Sequence, residues 1–328
     1  MDDKLNNLKT EVSDLVAKLQ LLKTEIHKVV VGQEVVMDQL IIGMLAGGHV
    51  LIEGLPGLAK TLMIKTLAKA LSMDFNRIQF TPDLMPTDIL GTEVVEQDAA
   101  GHKTFKYIQG PVFTNVLLAD EINRTPPKTQ AALLEVMQEY KVTYAGKDYP
   151  LNRPFFMLAT QNPLEQSGTF PLPEAQVDRF LLYVKIGYPS ALEEEEILRL
   201  TTGKMTASVE PVLKGSEIIR LQELVREVFI SDDLIKSISD LVRSTRPEMS
   251  DVAAVKEYVD FGAGPRSGQA VIMAAKAHAL MKGRFAVTPK DIKSILLPAL
   301  RHRILLNFKA ESEKKSTDDL LQPFLKSI

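Results

Sequence analysis

Residues 54–61 constrain the fold of this 328-residue chain more than any other segment. They read Gly-Leu-Pro-Gly-Leu-Ala-Lys-Thr, follow the apolar run 49–53 and precede a stretch of helical spacing over 61–72. A glycine-containing loop between a strand and a helix turns successive backbone N–H groups and a helix N-terminus toward one point, which is an arrangement that binds phosphate. The sequence therefore predicts a phosphate-binding loop within an α/β fold.

Each position of this loop has an expected role. Lys60 should reach the β- and γ-phosphates of a nucleotide, and the Thr61 hydroxyl should ligate Mg²⁺. Residue 59 is alanine where the general motif has glycine, and we expect its methyl group to fit. The other expected cofactor contacts come from the loop and the first helical turn, and they are Leu55, Pro56, Gly57, Leu58, Ala59 and Leu62.

Short apolar runs alternate with helical stretches through the first part of the chain. After the strand at 49–54, further strands are predicted at 75–80, 116–120, 155–160 and 181–186. Alternation of this kind is typical of a doubly wound parallel sheet. Two segments interrupt it, and residues 92–109 and 141–151 are predicted to be hairpin insertions.

The pattern changes near residue 188. Ser190 and Glu193 have capping-box spacing, and only helices are predicted from there to the end. We therefore expect two domains, an α/β core at 1–188 that begins with an amphipathic helix over 4–30, and a smaller helical domain at 189–328. The run Arg301-His302-Arg303 is expected to cap a helix C-terminus or to contact an adjacent subunit, with the cap favoured.

Two carboxylates end the predicted strand at 116–120. Asp120 is expected to hold Mg²⁺ together with Thr61, and Glu121 to polarise a water molecule for attack on the γ-phosphate. The chain has no Asn-Lys-x-Asp segment to recognise guanine, so ATP is favoured over GTP. Asn162 ends the next strand and could orient the attacking water, with Gln161 as the near competitor.

Two arginines complete the candidate site. Arg179 precedes the last predicted strand, and Arg266 begins a helix of the second domain. A guanidinium can stabilise the charge that builds up on a transferring phosphoryl group. From the residues alone, however, a surface arginine is the favoured interpretation of both.

Composition excludes several other kinds of protein. The chain has no cysteine and five histidines without metal-ligand spacing, which excludes thiolate zinc sites, iron–sulfur clusters and disulfide scaffolds. Its net charge of −3 gives no broad basic surface for nucleic acid. Residues 1–10 lack a signal-peptide pattern and no apolar run suits a membrane span, so we expect a cytoplasmic protein.

Taken in order, these motifs resemble those of the MoxR family of AAA+ ATPases, within the helix-2-insert branch that includes MCM proteins and magnesium chelatases. The resemblance covers roughly residues 20–305 and includes the alanine of the phosphate loop. Residue by residue, it implies the following roles: Lys60 and Thr61 as the Walker A pair, Asp120 and Glu121 as Walker B, Asn162 as sensor 1, Arg179 as arginine finger, Arg266 as sensor 2, and Val31, Gly32 and Gln33 beside adenine.

The resemblance also implies an activity and a mode of assembly. ATP with Mg²⁺ would lie between the α/β core and the helical lid of one subunit, with Arg266 as the phosphate contact of the lid. Arg179 would act on the nucleotide of a neighbour in an ATP-dependent homo-oligomer, usually a hexameric ring. The two hairpins would correspond to the helix-2 insert and the pre-sensor-1 hairpin, which face the pore of such rings.

Members of this family resemble chaperones that mature or activate protein partners, including von Willebrand A domain proteins and enzymes that need a metal cofactor. One alternative is a ring that acts on DNA, and another is a nucleotide-gated binding module with little turnover. Neither hairpin tip is basic, which favours protein over nucleic acid. The intact Glu121 favours hydrolysis over gated binding alone.

Overall fold

The computed structural model describes residues 2–97, 102–163, 168–203 and 208–327. The strands are β1 Val50–Gly54, β2 Phe75–Gln79, β3 Gly91–Gln97, β4 Lys103–Gln109, β5 Val116–Asp120, β6 Lys141–Tyr144, β7 Lys147–Pro150, β8 Phe156–Gln161, β9 Leu182–Ile186, β10 Val259–Phe261 and β11 Leu305–Leu306. The helices are α1 Asp2–His27, α2 Glu34–Leu45, α3 Lys60–Ala70, α4 Pro86–Leu90, α5 Pro127–Glu139, α6 Glu174–Val177, α7 Ala191–Thr202, α8 Gly215–Glu227, α9 Asp232–Ser244, α10 Ala253–Tyr258, α11 Pro265–Met281, α12 Pro289–Leu300, α13 Phe308–Ser312 and α14 Thr317–Ser327.

Five strands form a parallel sheet in the order β2-β5-β8-β1-β9. This confirms the α/β fold with a parallel sheet that the alternating pattern predicts. Strand β5 is buried along its whole length, and β8 is buried except at its last residue, because helices cover both faces of the sheet. All five strands point the same way, so their carboxyl ends meet at one edge.

Both predicted hairpins are present. Strands β3 and β4 pair antiparallel from Gly91 opposite Gln109 to Gln97 opposite Lys103, and β6 pairs with β7. The turn expected at 98–101 lies outside the described residues. The short helix α4, which the sequence pattern did not predict, leads directly into β3.

The C-terminal part is helical, as expected, with one exception. Strands β10 and β11 form a short antiparallel ribbon, so the prediction of helices alone is wrong at this point. With three and two residues, these strands are too short to produce a period-two pattern in the sequence. The Ser190 capping box at the start of α7 is confirmed, since Ser190 and Glu193 exchange both cap hydrogen bonds.

One hydrophobic core runs through both halves of the chain. Helix α1 buries Val12, Leu15, Leu19, Leu22 and Ile26 in the same core as side chains of α2, α3, α8, α11 and α12. Lys18 of α1 is also ion-paired with Glu217 of α8. The division at residue 188 stays a prediction, because the core is continuous across it. Within the described ranges, no helix combines the length and apolar character that crossing a bilayer requires.

A buried histidine joins β1 to the elements beside it. The amide of Met157 donates to His49 Nδ1 at 3.0 Å, and His49 Nε2 lies 3.0 Å from the Met137 carbonyl oxygen. Because an amide nitrogen can only donate, the ring proton lies on Nε2 and the imidazole is neutral. Burial lowers the pKa of His49 from 6.5 to about 4.

Acidification should therefore destabilise the fold. In the unfolded chain His49 binds a proton below pH 6.5, whereas in the folded chain it binds one only near pH 4. The contribution of His49 to folding stability is therefore fully present above pH 6.5 and is lost as the pH falls toward 4. At about 1.4 kcal/mol per pKa unit, His49 accounts for about 3 kcal/mol of this loss between pH 6.5 and pH 4.

Urea unfolding at neutral pH and near pH 4 measures this contribution. His49→Gln keeps an amide donor and cannot protonate, so it should reduce the pH-dependent loss by about 3 kcal/mol. The exposed His102 provides the control, and His102→Gln should leave the loss unchanged. Equal losses in wild type and His49→Gln would show that His49 is not the group responsible.

Candidate functional site

The candidate site lies at the carboxyl edge of the sheet. Strand β8 lies between β5 and β1, so their ends bring Asn162 between the pair Asp120–Glu121 and the loop that follows Gly54. Asn162 is 6% exposed. The three motifs expected to act on one nucleotide therefore meet, as the strand-end rule for parallel sheets requires.

The loop between β1 and α3 has the geometry of an anion cradle. Gly57 has φ 83° with open space around it, and Ala59 has φ 54° as the residue that precedes α3. A left-handed conformation costs a non-glycine residue roughly 1–2 kcal/mol. Ala59 is exposed, so its methyl group fits sterically as expected, although the backbone carries this strain.

Lys60 is folded back onto its own loop. Its ammonium donates to the carbonyl oxygens of Gly54 at 2.7 Å and Leu55 at 2.9 Å. Burial lowers the pKa of Lys60, while the carboxylates of Asp120 and Glu121 act to raise it. The carboxylates of Asp120, at the end of β5, and of Glu121, the next residue, thus lie within electrostatic reach of the loop lysine.

Asp120 is held by two side chains that the sequence analysis did not identify. Arg77 of β2 donates to Asp120 Oδ2 through Nε at 3.0 Å and Nη2 at 2.6 Å. The hydroxyl of Thr160 donates to Oδ1 at 2.6 Å. Only the order of the strands in the sheet points to Arg77 and Thr160, because β2 and β8 flank β5 and their side chains reach the end of β5.

Glu121 is held in a left-handed conformation with φ 59°. Its amide donates to Thr160 Oγ1 at 2.8 Å. Its carboxylate Oε2 accepts from Gln79 Nε2 at 2.6 Å and pairs with Arg124 Nε at 2.9 Å. Backbone strain of this kind is concentrated at functional sites, and here the surrounding hydrogen bonds maintain it.

The oxygen donors fit a magnesium ion. Asp120 offers a carboxylate and Thr61, in the first turn of α3, offers a hydroxyl, and Mg²⁺ prefers few protein oxygens supplemented by phosphate oxygens and water. No group of three or more histidine, aspartate or glutamate side chains that could hold a metal forms among the described residues.

A cavity of about 270 Å³ adjoins the phosphate loop. Val31 and Gln33 line it, as do residues 57–59 and Leu62 of the loop region and Ile197 of helix α7. Gly32 lies beneath α7, because a Cβ atom at this position would meet Glu193 Oε1 at 2.2 Å. The structure thus brings the segment 31–33 to the loop as expected, with α7 as the cover, which the sequence did not indicate.

Arg179 and Arg266 lie together at the other edge of the sheet. Arg179 precedes β9, whose Leu182 pairs with Val50 at the amino end of β1, and Arg266 Nη1 contacts Asp178 Oδ2 at 3.0 Å. The length of strand β1, roughly 13 Å, separates this edge from the phosphate loop at the carboxyl end of the strand. Arg266 thus pairs with Asp178 near the amino end of β1. Its expected contact with phosphate stays a prediction.

Comparisons with known proteins agree with this geometry. The family described as "ATPase family associated with various cellular activities (AAA)" matches residues 49–182, and the "AAA lid domain" matches residues 252–324. The chain is 43% identical to "Chaperone MoxR1" of Mycobacterium tuberculosis over 305 residues, which are 93% of this chain and 80% of that protein. It is 29% identical to "Protein MoxR" of Paracoccus denitrificans, covering 94% of both chains.

A solved structure shows the same architecture. A candidate ATPase from Cytophaga hutchinsonii superposes with a TM-score of 0.92 at 42% identity, covering 99% of this chain and 98% of that one. The superposition therefore extends over nearly the whole of both chains. From its motifs, its sheet and these relatives, the chain belongs to the MoxR family of AAA+ ATPases.

Proposed function

We propose that this protein hydrolyses ATP with Mg²⁺ and uses the energy as a MoxR-type chaperone that remodels protein partners. The observation that carries the proposal is the meeting of Lys60, Asp120 and Glu121 at one edge of the sheet, where both carboxylates act on the lysine electrostatically. A phosphate cradle without carboxylates could bind a nucleotide. The added carboxylate pair is what hydrolysis requires.

Each residue of the candidate site has a proposed role in binding or hydrolysis. Lys60 leaves the carbonyl oxygens of its loop for the β- and γ-phosphates, and residues 55–59 with Leu62 surround the phosphates. Thr61 and Asp120 would hold Mg²⁺, which would neutralise phosphate charge when bound. Glu121 polarises the attacking water and Asn162 orients it. Val31, Gly32 and Gln33 flank the adenine under helix α7.

Both carboxylates of the candidate site have hydrogen-bond or ion-pair partners within the chain. Asp120 Oδ2 is paired with Arg77, and Glu121 Oε2 is paired with Gln79 and Arg124. A carboxylate has about four lone-pair sites, so each of the two keeps acceptor capacity for a metal or a water.

Hydrolysis is completed between subunits. Arg179 and Arg266 lie at the edge opposite the loop of their own chain, so we propose that both act on the nucleotide of a neighbour. A closed ring of identical subunits supplies such a contact at each interface, and a hexamer is the proposed form.

The partner is proposed to be protein, including von Willebrand A domain proteins or enzymes that take up a metal cofactor. The supporting feature is the hairpin β3–β4, where Val95 and Phe105 lie directly opposite each other and are 54% and 73% exposed. An exposed apolar pair suits contact with apolar polypeptide rather than with a phosphate backbone. A DNA-acting ring remains the alternative, and a salt-dependent DNA titration tests it.

The first prediction concerns assembly. Specific ATPase activity should rise with protein concentration, because each site needs Arg179 from another subunit, and Glu121→Gln should abolish turnover while leaving ATP binding intact. Steady-state phosphate release and equilibrium binding measure the two properties. Real activity that is independent of concentration would exclude completion in trans, and ATP binding without turnover at any concentration would favour a nucleotide-gated module.

The second prediction concerns Thr160, which joins Asp120 Oδ1 to the Glu121 amide. Thr160→Val keeps the shape and removes the hydroxyl, so two buried polar groups lose their partner at a cost of about 1–3 kcal/mol of stability. We expect kcat to fall about tenfold with little change in the ATP dissociation constant. Thr160→Ser retains the hydroxyl and should keep most of the activity; equal kcat values for the two variants would contradict the role.

The third prediction concerns the hairpin. Phe105→Ser should leave basal ATPase within about twofold and reduce stimulation by an unfolded polypeptide such as casein, because it removes exposed apolar contact area. Phe308→Ser is the matched control, since Phe308 is 82% exposed on α13. Equal loss of stimulation in both variants would show that the hairpin has no special role.

A further inference from the structure

Arg303 is a buried arginine whose donors are all used within the chain. Its side chain is 3% exposed. Nε donates to Asp178 Oδ1 at 2.8 Å, and Nη2 donates to the carbonyl oxygens of Asp178 at 3.0 Å and Phe180 at 2.7 Å. Nη1 donates to the carbonyl oxygens of Leu181 and Ala299.

The residues that Arg303 contacts lie on both sides of Arg179 along the chain. Three of the four carbonyl oxygens that Arg303 binds belong to residues 178, 180 and 181, which flank Arg179 in the chain. His302 Nε2 also lies 3.1 Å from the Phe180 carbonyl oxygen, and the Phe180 side chain is fully buried. The backbone that carries Arg179 is therefore fixed by the turn that follows α12. The bond to Ala299 confirms the expected helix cap, but most donors of Arg303 serve the segment before β9.

The same cluster also holds Arg266. Asp178 offers Oδ1 to Arg303 and Oδ2 to Arg266 Nη1, so one carboxylate joins two arginines from different helical elements. Arg179 is different, since its side chain makes no hydrogen bond or ion pair with any residue in the described ranges. Two of the three guanidinium groups are thus anchored within the chain, and the third is left available.

We propose that Arg303, acting through Asp178 and the carbonyl oxygens beside Arg179, is a positioning residue that aims Arg179 at the nucleotide of the neighbouring subunit. This inference rests on the proposed hydrolysis between subunits. Arg303 touches no nucleotide itself. Its planar guanidinium holds several carbonyl oxygens at fixed angles, which an ammonium on a flexible stem cannot reproduce.

The geometry predicts a selective defect. A small displacement of Arg179 weakens an interaction made in the transition state, while the nucleotide pocket of the same chain is untouched. Arg303→Lys should therefore lower kcat about tenfold or more and leave the KM for ATP within about twofold. Asp178→Asn, which preserves volume and an acceptor oxygen, should show the same pattern more weakly.

Arg301→Lys is the matched control. Arg301 lies in the same turn and its side chain is 10% exposed, but it contacts Asp318 and the Tyr183 carbonyl oxygen instead of residues 178–181. Its kcat should stay within about twofold of wild type, because the backbone beside Arg179 is not affected.

Mixing subunits separates positioning from general instability. Subunits carrying Glu121→Gln cannot hydrolyse ATP but present an intact Arg179. The Glu121→Gln subunits are added in excess to Arg303→Lys subunits or to Arg179→Ala subunits. In both mixtures they should restore at least about a third of the wild-type ATPase rate, counted per Arg303→Lys or Arg179→Ala subunit. The double variant Glu121→Gln with Arg303→Lys should restore none.

The outcomes are distinct. Rescue of Arg179→Ala without rescue of Arg303→Lys would overturn the positioning role and leave the proposed function intact. Equal loss of kcat in Arg303→Lys and Arg301→Lys would have the same consequence. Full activity of Arg179→Ala would overturn both the trans mechanism and this inference. If Arg303→Lys does not fold, the same mixing with Asp178→Asn decides, and a lack of rescue there overturns the role.

Discussion

The structure depends on the parallel pairing of β8 with β5 on one side and β1 on the other. Burial on both faces requires that the backbone groups of these strands satisfy one another, which fixes their register and direction. That register places the ends of three strands, and with them Lys60, Asp120 and Asn162, at one edge. A shift of one residue would exchange the β8 side chains that pack on the two buried faces of the sheet and would displace Asn162 along its edge, so the core and the site are specified together.

The charges of the site are satisfied by partners within the chain. Lys60 donates to carbonyl oxygens, Asp120 is paired with Arg77, and Glu121 is paired with Gln79 and Arg124. Buried charges without such partners would cost several kcal/mol each. Each of these charges is therefore compensated by a partner within the chain.

The helices of the C-terminal region differ in whether they pack into the hydrophobic core. Helices α8, α11 and α12 share buried contacts with α1 and α2, whereas α7 has no buried residue and lies over the cavity beside the phosphate loop. The element best placed to respond to the nucleotide of its own chain is therefore α7. Arg266, on α11, is directed to the opposite edge by Asp178.

Much of the site was predictable because its residues follow one another along the chain. The phosphate loop, the carboxylates after β5 and the amide after β8 each stand at the end of a recognisable strand, and parallel strands bring such ends together. Thr160, Gln79, Arg77 and Arg303 could not be predicted in this way. Their importance comes from contacts between residues distant in sequence, such as Arg303 with Asp178, and no local pattern encodes them.

By itself the sequence determined the α/β fold and the family, and it supplied the positions proposed to meet a nucleotide, since apolar periodicity and loop chemistry are local properties. Only the tertiary structure decided which way Arg266 faces, what holds Asp120 and Glu121, and that α7 covers the cavity. These depend on how the helical region packs against the sheet. Such packing is set by the sum of many small contacts, none of which is visible in the chain alone.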